Sequence, residues 1–217
     1  MGGPYHHGDL RAACLRAARE LLEEGGGGLS LRAVARRAGV SPAAPYRHFA
    51  DREALISTVA AEGYRELAEC LAGAHPAPVT PADLADVAVA YVRFAVDHPA
   101  LFRAMFSEPC DPGNDERAAA TAAVSAYLDG LVRRAFPDAG AVPDVGAVPD
   151  AGAVPDVGAV SDVGSGRDFG ALSTAVWALV HGLAVLHLDG KFDATIPDAV
   201  TDRVRAAVHA FVAVTAR

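Results

Sequence analysis

Apolar residues recur every three to four positions along most of the chain, which is the spacing of amphipathic helices. The first segment with this spacing carries Leu10, Cys14 and Leu21 on one face, and the glycines at positions 25–28 end it. No segment alternates convincingly between apolar and polar residues with a period of two, as a half-buried strand does. The pattern therefore predicts an all-α protein.

Two short helices are predicted directly after these glycines. Ser30 is a favourable N-cap for the first, and Gly39 is placed to end it, one residue beyond the C-cap. Ser41 caps the second, which has a proline at its first position and runs to about His48. A further proline, Pro45, would remove only the first hydrogen bond of this second helix, so we expect the helix to form around it. Two short helices joined by a tight glycine-containing turn predict a helix-turn-helix.

A longer helix follows, and the rest of the chain continues the helical pattern. Asp51 caps this helix, which the proline-containing stretch 74–81 ends. Helical spacing resumes in five segments, at residues 80–96, 99–106, 114–136, 168–188 and 199–216. We therefore expect a helix-turn-helix domain at 1–52, a connecting helix at 53–74 and a larger helical domain at 75–217.

A six-residue repeat, Gly-Ala-Val-Pro-Asp followed by Val or Ala, interrupts the larger domain between residues 137 and 167. Copies begin at Gly140, Gly146 and Gly152, and a fourth copy from Gly158 has serine in place of proline. Proline and glycine together prevent a helix or a sheet from continuing through these copies. A β-helix of four copies would lack enough bulky residues for a core. We interpret the repeat as an expanded, low-complexity loop.

Charge is distributed unevenly over the 217 residues, whose net charge is −8. Residues 1–65 hold nine basic and seven acidic residues, a net charge of +2, whereas the remainder holds ten basic and twenty acidic residues, a net charge of −10. The helix-turn-helix window 30–52 has five arginines against one aspartate. The overall acidity argues against indiscriminate nucleic-acid binding, and the local positive charge favours a confined contact with an anion.

Composition and motifs exclude several other classes of protein. A content of 52% hydrophobic but 6% aromatic residues suits closely packed helices rather than a disordered chain. No uninterrupted apolar run reaches the roughly 18 to 20 residues of a membrane span, and the N-terminus lacks the features of a signal peptide, so we expect a cytoplasmic protein. The three cysteines form no Cys-x-x-Cys pair, and a nucleophile elbow, a P-loop and a His-Glu-x-x-His motif are all missing. We therefore expect neither an enzyme nor a metal or cofactor site.

The segment 31–55 reads LRAVARRAGVSPAAPYRHFADREAL and resembles the DNA-binding domain of TetR/AcrR-type transcriptional regulators. The resemblance rests on the A-x-x-A-G-V-S turn, the Y-R-H-F end of the recognition helix and the D-R-E-A-L opening of the next helix, and it extends over residues 6–64. More weakly, residues 97–106 (DHPALFRAMF) and 177–182 (WALVHG) are similar to regulators with a W-H-G-type C-terminal domain.

The resemblance implies that residues 41–48 form the recognition helix. Small side chains near its start, Ala43 and Ala44, would allow close approach to the major groove, while Arg47 can donate to a guanine or a phosphate. Phosphate contacts are implied for Tyr46, His48 and Arg52, and for the free amide groups at the start of the preceding helix, around Ser30. The complete set of candidate DNA-binding residues is Ser30, Arg32, Ser41, Pro42, Ala43, Ala44, Tyr46, Arg47, His48 and Arg52.

The larger domain holds the candidates for ligand binding and dimerisation. Its aromatic side chains lie beside small alanines, an arrangement that can leave a cavity for a small, largely apolar effector, although a filled core is the alternative for each of them. The candidate pocket residues are Tyr91, Phe94, Phe102, Met105, Phe106, Tyr127 and His181. The resemblance implies that helices 168–188 and 199–216 pack as a four-helix bundle with a second subunit. The candidate interface residues are Val176, Trp177, Leu179, Val180 and Leu183.

These features predict a ligand-responsive transcriptional regulator of the repressor type. It would bind a palindromic double-stranded DNA operator as a homodimer, and a small-molecule effector would release it. The alternative is a helical small-molecule binding protein that retains a vestigial DNA-binding module, and a specific shift of operator DNA would discriminate between the two.

Overall fold

The computed structural model describes residues 7–25, 29–75, 77, 80–106, 111, 113–137 and 169–215. Within these residues the chain is helical and contains no strand, so the predicted all-α class is confirmed. In chain order the helices are α1 (His7–Glu23), α2 (Leu31–Arg37), α3 (Arg52–Ala74), α4 (Leu84–Asp97), α5 (Pro99–Phe106), α6 (Asp115–Ala135), α7 (Phe169–Leu188) and α8 (Pro197–Thr215), with 3-10 turns at Pro45–Arg47 and Pro81–Asp83.

The predicted start and end of α2 are confirmed at atomic detail. The Ser30 hydroxyl accepts a hydrogen bond from the Ala33 amide at 3.2 Å, which satisfies one of the free donors of the first turn. At the other end Gly39 adopts a φ of 69°, where a side chain would strain the backbone. The Val40 amide then donates to the Ala35 carbonyl at 3.0 Å, which closes a Schellman motif. Residue types at the two ends thus determine the length of this helix.

The predicted third helix, at residues 41–48, is wrong. The segment consists of turns and the single 3-10 turn Pro45–Arg47. Because Pro45 has no amide hydrogen, the Ser41 carbonyl accepts instead from Ala44 at 2.9 Å, three residues on. The next bonds, from Arg47 to Ala44 and from His48 to Pro45, have the same three-residue spacing. The missing donor therefore replaces the first α-helical bond of the segment by a 3-10 bond, and four-residue spacing returns only where the Phe49 amide donates to the Pro45 carbonyl at 3.0 Å.

Helix α3 joins the N-terminal module to the rest of the molecule. Its first turn is capped by the Asp51 carboxylate, which accepts from the Ala54 amide at 2.8 Å. Along its length it packs against α1, α4, α5 and α6. One cluster of buried side chains runs without a break from Leu10 in α1 to Val208 in α8. The two ends of the molecule therefore share a core through α3, and the domain bounds predicted from the sequence stay a prediction.

Helix α7 combines a strongly apolar sequence with few buried residues. By length and composition alone it could span a membrane. Only 22% of its most apolar stretch is buried inside the molecule, and the rest of that stretch is half-buried or exposed. Serine, threonine, histidine and glycine interrupt its apolar residues, so the sequence contains no uninterrupted apolar run of membrane-spanning length at this helix. The repeat interpreted as a loop lies outside the described residues, from residue 138 to residue 168.

Candidate DNA-binding surface and ligand cavity

Residues 41–48, called the recognition segment below, present most of their candidate residues to solvent. Two buried side chains anchor the segment to the core. Tyr46 is 53% exposed, whereas Pro45 and Phe49 on either side of the exposed residues are buried. The exposed candidates of this segment are Ser41, Pro42, Ala43, Tyr46 and Arg47, and the half-buried ones are Ala44 and His48. A surface with small side chains at one end and a phenol and a guanidinium at the other suits close approach to a nucleic-acid backbone and to base edges.

The arginines around this segment do not all stay available for an anion. Arg37 donates to Glu20 at 3.1 Å and to Glu24 at 2.5 Å, and these hydrogen bonds raise the pKa of Arg37. Arg32 and Arg36 on the same helix are exposed. Arg37 is therefore less available for an anion than Arg32 and Arg36.

Two residues that the resemblance assigns to phosphate contacts also have roles inside the fold. The half-buried Arg52 donates from Nε to the Leu29 carbonyl at 3.2 Å and so ties the start of α3 to the chain just before α2. The Nε2 atom of His48 is buried without a hydrogen-bond partner. A phosphate contact from His48 would need the other ring nitrogen or a rotation of the ring.

A cavity of about 240 Å³ lies between α3, α4, α5, α6 and α7. Its walls combine aromatic rings with hydroxyl groups and one carboxylate. The lining residues are Tyr64, Tyr91, Phe106, Thr121, Val124, Ser125, Leu128, Asp129, Ser173, Thr174 and Trp177. A smaller apolar cavity of about 40 Å³ adjoins it and shares Tyr91, Leu128, Ser173 and Trp177. Concave walls that are mostly apolar, with a few polar groups, are typical of small-molecule sites.

An aromatic stack supports this cavity at the position of His181. The imidazole stacks on Trp177 at a centroid distance of 5.1 Å and on Phe102 at 5.5 Å. Its Nδ1 lies 2.9 Å from the Tyr91 hydroxyl. Burial lowers the pKa of His181 and raises the pKa of Tyr91, which favours the neutral forms of the two side chains that share this hydrogen bond. This network holds the rings of Tyr91 and Trp177 in place as cavity walls.

Two of the seven predicted pocket residues, Tyr91 and Phe106, line the larger cavity. Phe102 and His181 lie behind its wall in the aromatic stack. Tyr127 donates from its hydroxyl to the Leu71 carbonyl at 3.1 Å, on the side of α6 that faces α3. The other two, Phe94 and Met105, are buried core residues that line neither cavity.

Several lining residues are missing from the sequence-based set. Thr121, Ser125 and Asp129 follow one another at intervals of four residues, which places them on one face of α6. This polar stripe on an otherwise alanine-rich helix is a sequence signal for the cavity wall, and the aromatic pattern alone does not contain it.

The predicted interface residues divide between the two sides of α7. Val180 is 9% exposed and Leu183 is 8% exposed, because both point into the single chain. Neither offers much surface to a second subunit, and the predicted interface stays a prediction. Val176 and Leu179 are half-buried, and Trp177 is 45% exposed at the cavity. The exposed apolar residues of α7 are instead Ala171, Ala175, Ala178, Val185 and Leu186.

Comparison with known proteins matches two family models to different parts of the chain. Residues 15–59 match the model of the bacterial regulatory proteins of the tetR family, and residues 84–211 match the tetracyclin repressor-like C-terminal domain. HTH-type transcriptional regulators of Mycobacterium tuberculosis and Mycobacterium bovis are 31% identical over 120 residues, which is 52% of this chain. The chain spans about half (51%) of the length of these curated relatives.

Solved structures extend the likeness to almost the whole chain. A protein of unknown function from Rhodococcus sp. RHA1 is 31% identical with a TM-score of 0.68, over 95% of this chain and 97% of its own. A regulatory protein of the tetR family from Rhodococcus RHA1 shares the fold at 19% identity, with a TM-score of 0.60 over 92% of this chain and 95% of its own. Since the C-terminal family model alone covers more than half of the sequence, the chain belongs to the TetR family of transcriptional regulators.

Proposed function

We propose that the protein is a homodimeric, ligand-responsive DNA-binding repressor. The observation that carries this proposal is the course of α3. The helix begins at Arg52, four residues after the recognition segment, and further along it contributes Tyr64 to the wall of the cavity. A ligand in the cavity therefore touches the same helix that positions the DNA-binding surface.

The ion pairs around α3 support a mechanical link between the cavity and the DNA-binding module. Arg19 of α1 pairs with Glu66 of α3 through two hydrogen bonds, of which the longer is 3.0 Å. Glu116 at the start of α6 accepts from Arg11 of α1 at 2.8 Å and from Arg65 of α3 at 3.3 Å. A movement of α6 on ligand binding would therefore be passed both to α1 and to α3.

The exposed apolar face of α7 supports the homodimer. A helix this apolar and this little buried is typical of an interface that a second copy covers. Two such copies related by a two-fold axis place two recognition segments side by side, and a palindromic operator would mirror that symmetry. The likeness to tetracyclin repressor-like domains supports repression as the direction of control.

DNA binding is tested by mobility shift with fragments of the protein's own promoter region and with a shuffled control of equal length. We expect a salt-sensitive shift of the specific fragment, since phosphate contacts release counterions. Tyr46→Phe should weaken binding to both fragments, whereas Arg47→Ala should also reduce the preference between them. Arg93→Ala, on α4, serves as the matched control and should leave binding unchanged. A protein that shifts neither fragment would be the alternative, a helical small-molecule binding protein.

Effector release is tested by reciprocity. If a ligand lowers the affinity for the operator by a given factor, the operator must lower the affinity for the ligand by the same factor. About 2 to 3 kcal/mol of coupling corresponds to roughly 30- to 150-fold weaker DNA binding. Equal ligand affinity for the free and the operator-bound protein would contradict the proposal.

A further inference from the structure

We propose that the larger cavity binds a compact hydrophobic organic cation, an arylalkylamine in the simplest case, whose charged group lies against Asp129. This inference rests on the proposed function only in taking this cavity as the effector site. It concerns which chemical class of molecule the cavity selects.

Asp129 is the one charged side chain among the described residues that line the cavity. The Ser173 hydroxyl donates to its Oδ1 and so links α6 to α7 at this point. Within the described part of the chain no lysine, arginine or histidine forms an ion pair with it. Asp129 is solvent-exposed at the mouth of the cavity, and a ligand that brings a positive charge there gains a charge-assisted contact with its carboxylate.

The aromatic walls favour the same charge. Tyr64, Tyr91, Phe106 and Trp177 surround the cavity. One face of the Trp177 indole is covered by His181, at an interplanar angle of 24°, and the side chain is still 45% exposed. The other face can therefore receive a ligand. The negative face of an indole attracts a cation, and a flat aromatic group can stack on it as well.

Size narrows the class further. At about 240 Å³ the cavity is below the roughly 300 to 1,000 Å³ that is usual for ligand sites, which favours a compact molecule. The smaller apolar cavity of about 40 Å³ beside it has room for part of an apolar tail.

The competing class is a carboxylate held by Arg117, in an open groove that continues along α6. Arg117 already donates from Nη2 to the Met105 carbonyl at 2.9 Å, and its Nε has no hydrogen-bond partner but is buried beyond the reach of a molecule in the groove. Asp111 lines the same groove and would repel an anion. The geometry therefore favours the cation, and the experiment includes the anion.

The test uses three probes with one scaffold, namely 4-phenylbutylamine, 4-phenylbutanol and 4-phenylbutyrate. Because Trp177 is the only tryptophan in the sequence, quenching of the intrinsic fluorescence reports binding at this cavity. We expect the amine to bind about fivefold to tenfold more tightly than the alcohol, and the carboxylate to bind most weakly. Asp129→Asn should remove the advantage of the amine and leave the alcohol unchanged. Asp202→Asn, an exposed carboxylate on α8, is the matched control and should keep the advantage.

Three results would overturn the proposal: a carboxylate that binds as tightly as the amine, an amine affinity that Asp129→Asn does not change, or no quenching by any probe at millimolar concentration. A mobility-shift assay of operator DNA with each probe added tests effector release separately from the ligand class. Amine binding that depends on Asp129 but does not release DNA keeps the ligand class and contradicts effector release. If instead a different compound releases DNA and the amine does not bind, effector release is supported and the proposed ligand class is contradicted.

Discussion

Single residues decide how closely the helices of this protein approach one another. Gly63 on α3 faces α5, and a Cβ atom at this position would lie 2.7 Å from the Met105 sulfur and 2.9 Å from Leu101 Cδ1. Real Cβ contacts are longer than this, so any other side chain must displace the ends of Met105 and Leu101 or push the two helices apart. The contact matters because α5 also supplies Phe106 to the cavity wall.

Gly63→Ala should therefore lower the free energy of unfolding by about 1 to 3 kcal/mol, the usual cost of an overpacked core. Gly73→Ala on the same helix is the control, since a Cβ atom added there would meet nothing within 4 Å. It should be neutral or stabilise the protein by up to about 1 kcal/mol through its helix propensity. Urea unfolding of both variants measures the difference, and equal stabilities would show that α5 moves away without cost.

His181 should make stability depend on pH. Burial lowers the pKa of its imidazole from the ordinary 6.5, so below that pH the unfolded chain binds a proton that the folded protein binds less readily. The contribution of His181 to the free energy of unfolding should therefore have its full value above pH 6.5 and decrease as the pH falls below 6.5. His181→Gln keeps an acceptor for the Tyr91 hydroxyl and should flatten this decrease, whereas His209→Gln, exposed on α8, should not. Urea unfolding across the acidic range measures both slopes, and equal slopes in the two variants would contradict the role given to burial.

At the scale of elements, the ends of the helices follow local chemistry closely. Thr80 and Asp83 form a capping box, in which each side chain accepts from the other residue's amide. Gly190 ends α7 at a φ of 67°, in the same way as Gly39 ends α2. The recognition segment is the exception, because a proline in its middle removes a donor that an α-helix needs.

Pro45→Ala should return this donor to the Ser41 carbonyl and shift the segment towards an α-helix. We expect the backbone carbon chemical shifts of residues 42–47 to move in the helical direction, with a change in DNA affinity because Tyr46 and Arg47 would be reoriented. Pro42→Ala, exposed at the start of the segment where no donor is needed, should leave both unchanged. Unaltered shifts in Pro45→Ala would mean that the surrounding core, rather than the missing donor, imposes the 3-10 turn.

At the scale of the whole molecule, the exposed apolar surface of α7 is the face on which we place the proposed dimer interface. The exposed face of α7 is built from small residues with Val185 and Leu186 towards its end. Small side chains let a second helix approach closely, and the adjoining α8 would complete a four-helix arrangement across a two-fold axis.

Ala178→Arg should therefore produce a monomer, since a charge at the centre of an apolar interface has no partner there. Ala126→Arg, equally exposed on α6, should leave the dimer intact. Light scattering at micromolar concentration gives the mass of each variant. A dimer that survives Ala178→Arg would place the interface on another face of the molecule.

The amino-acid sequence by itself determined the helical class, the caps of α2 and α3, and the motifs of the N-terminal module. These features depend on residues within a few positions of one another, such as Ser30 with Ala33 or Asp51 with Ala54. The 3-10 form of the recognition segment is also local in origin. An α-helix is the wrong prediction there: Pro45 lacks the donor that the Ser41 carbonyl would use, and the Ala44, Arg47 and His48 amides bond three residues back.

Only the tertiary structure decided which apolar residues form a core, a cavity or a free surface. Helical periodicity shows that α7 is apolar on more than one side, but it does not show which side meets α4. Val180 and Leu183 are buried for that reason, while Ala178 is exposed. In the same way, Phe102 and Phe106 both lie in a five-residue stretch of α5, yet one supports the aromatic stack and the other lines the cavity. The difference arises from the packing angles of five helices, which no local pattern in the sequence specifies.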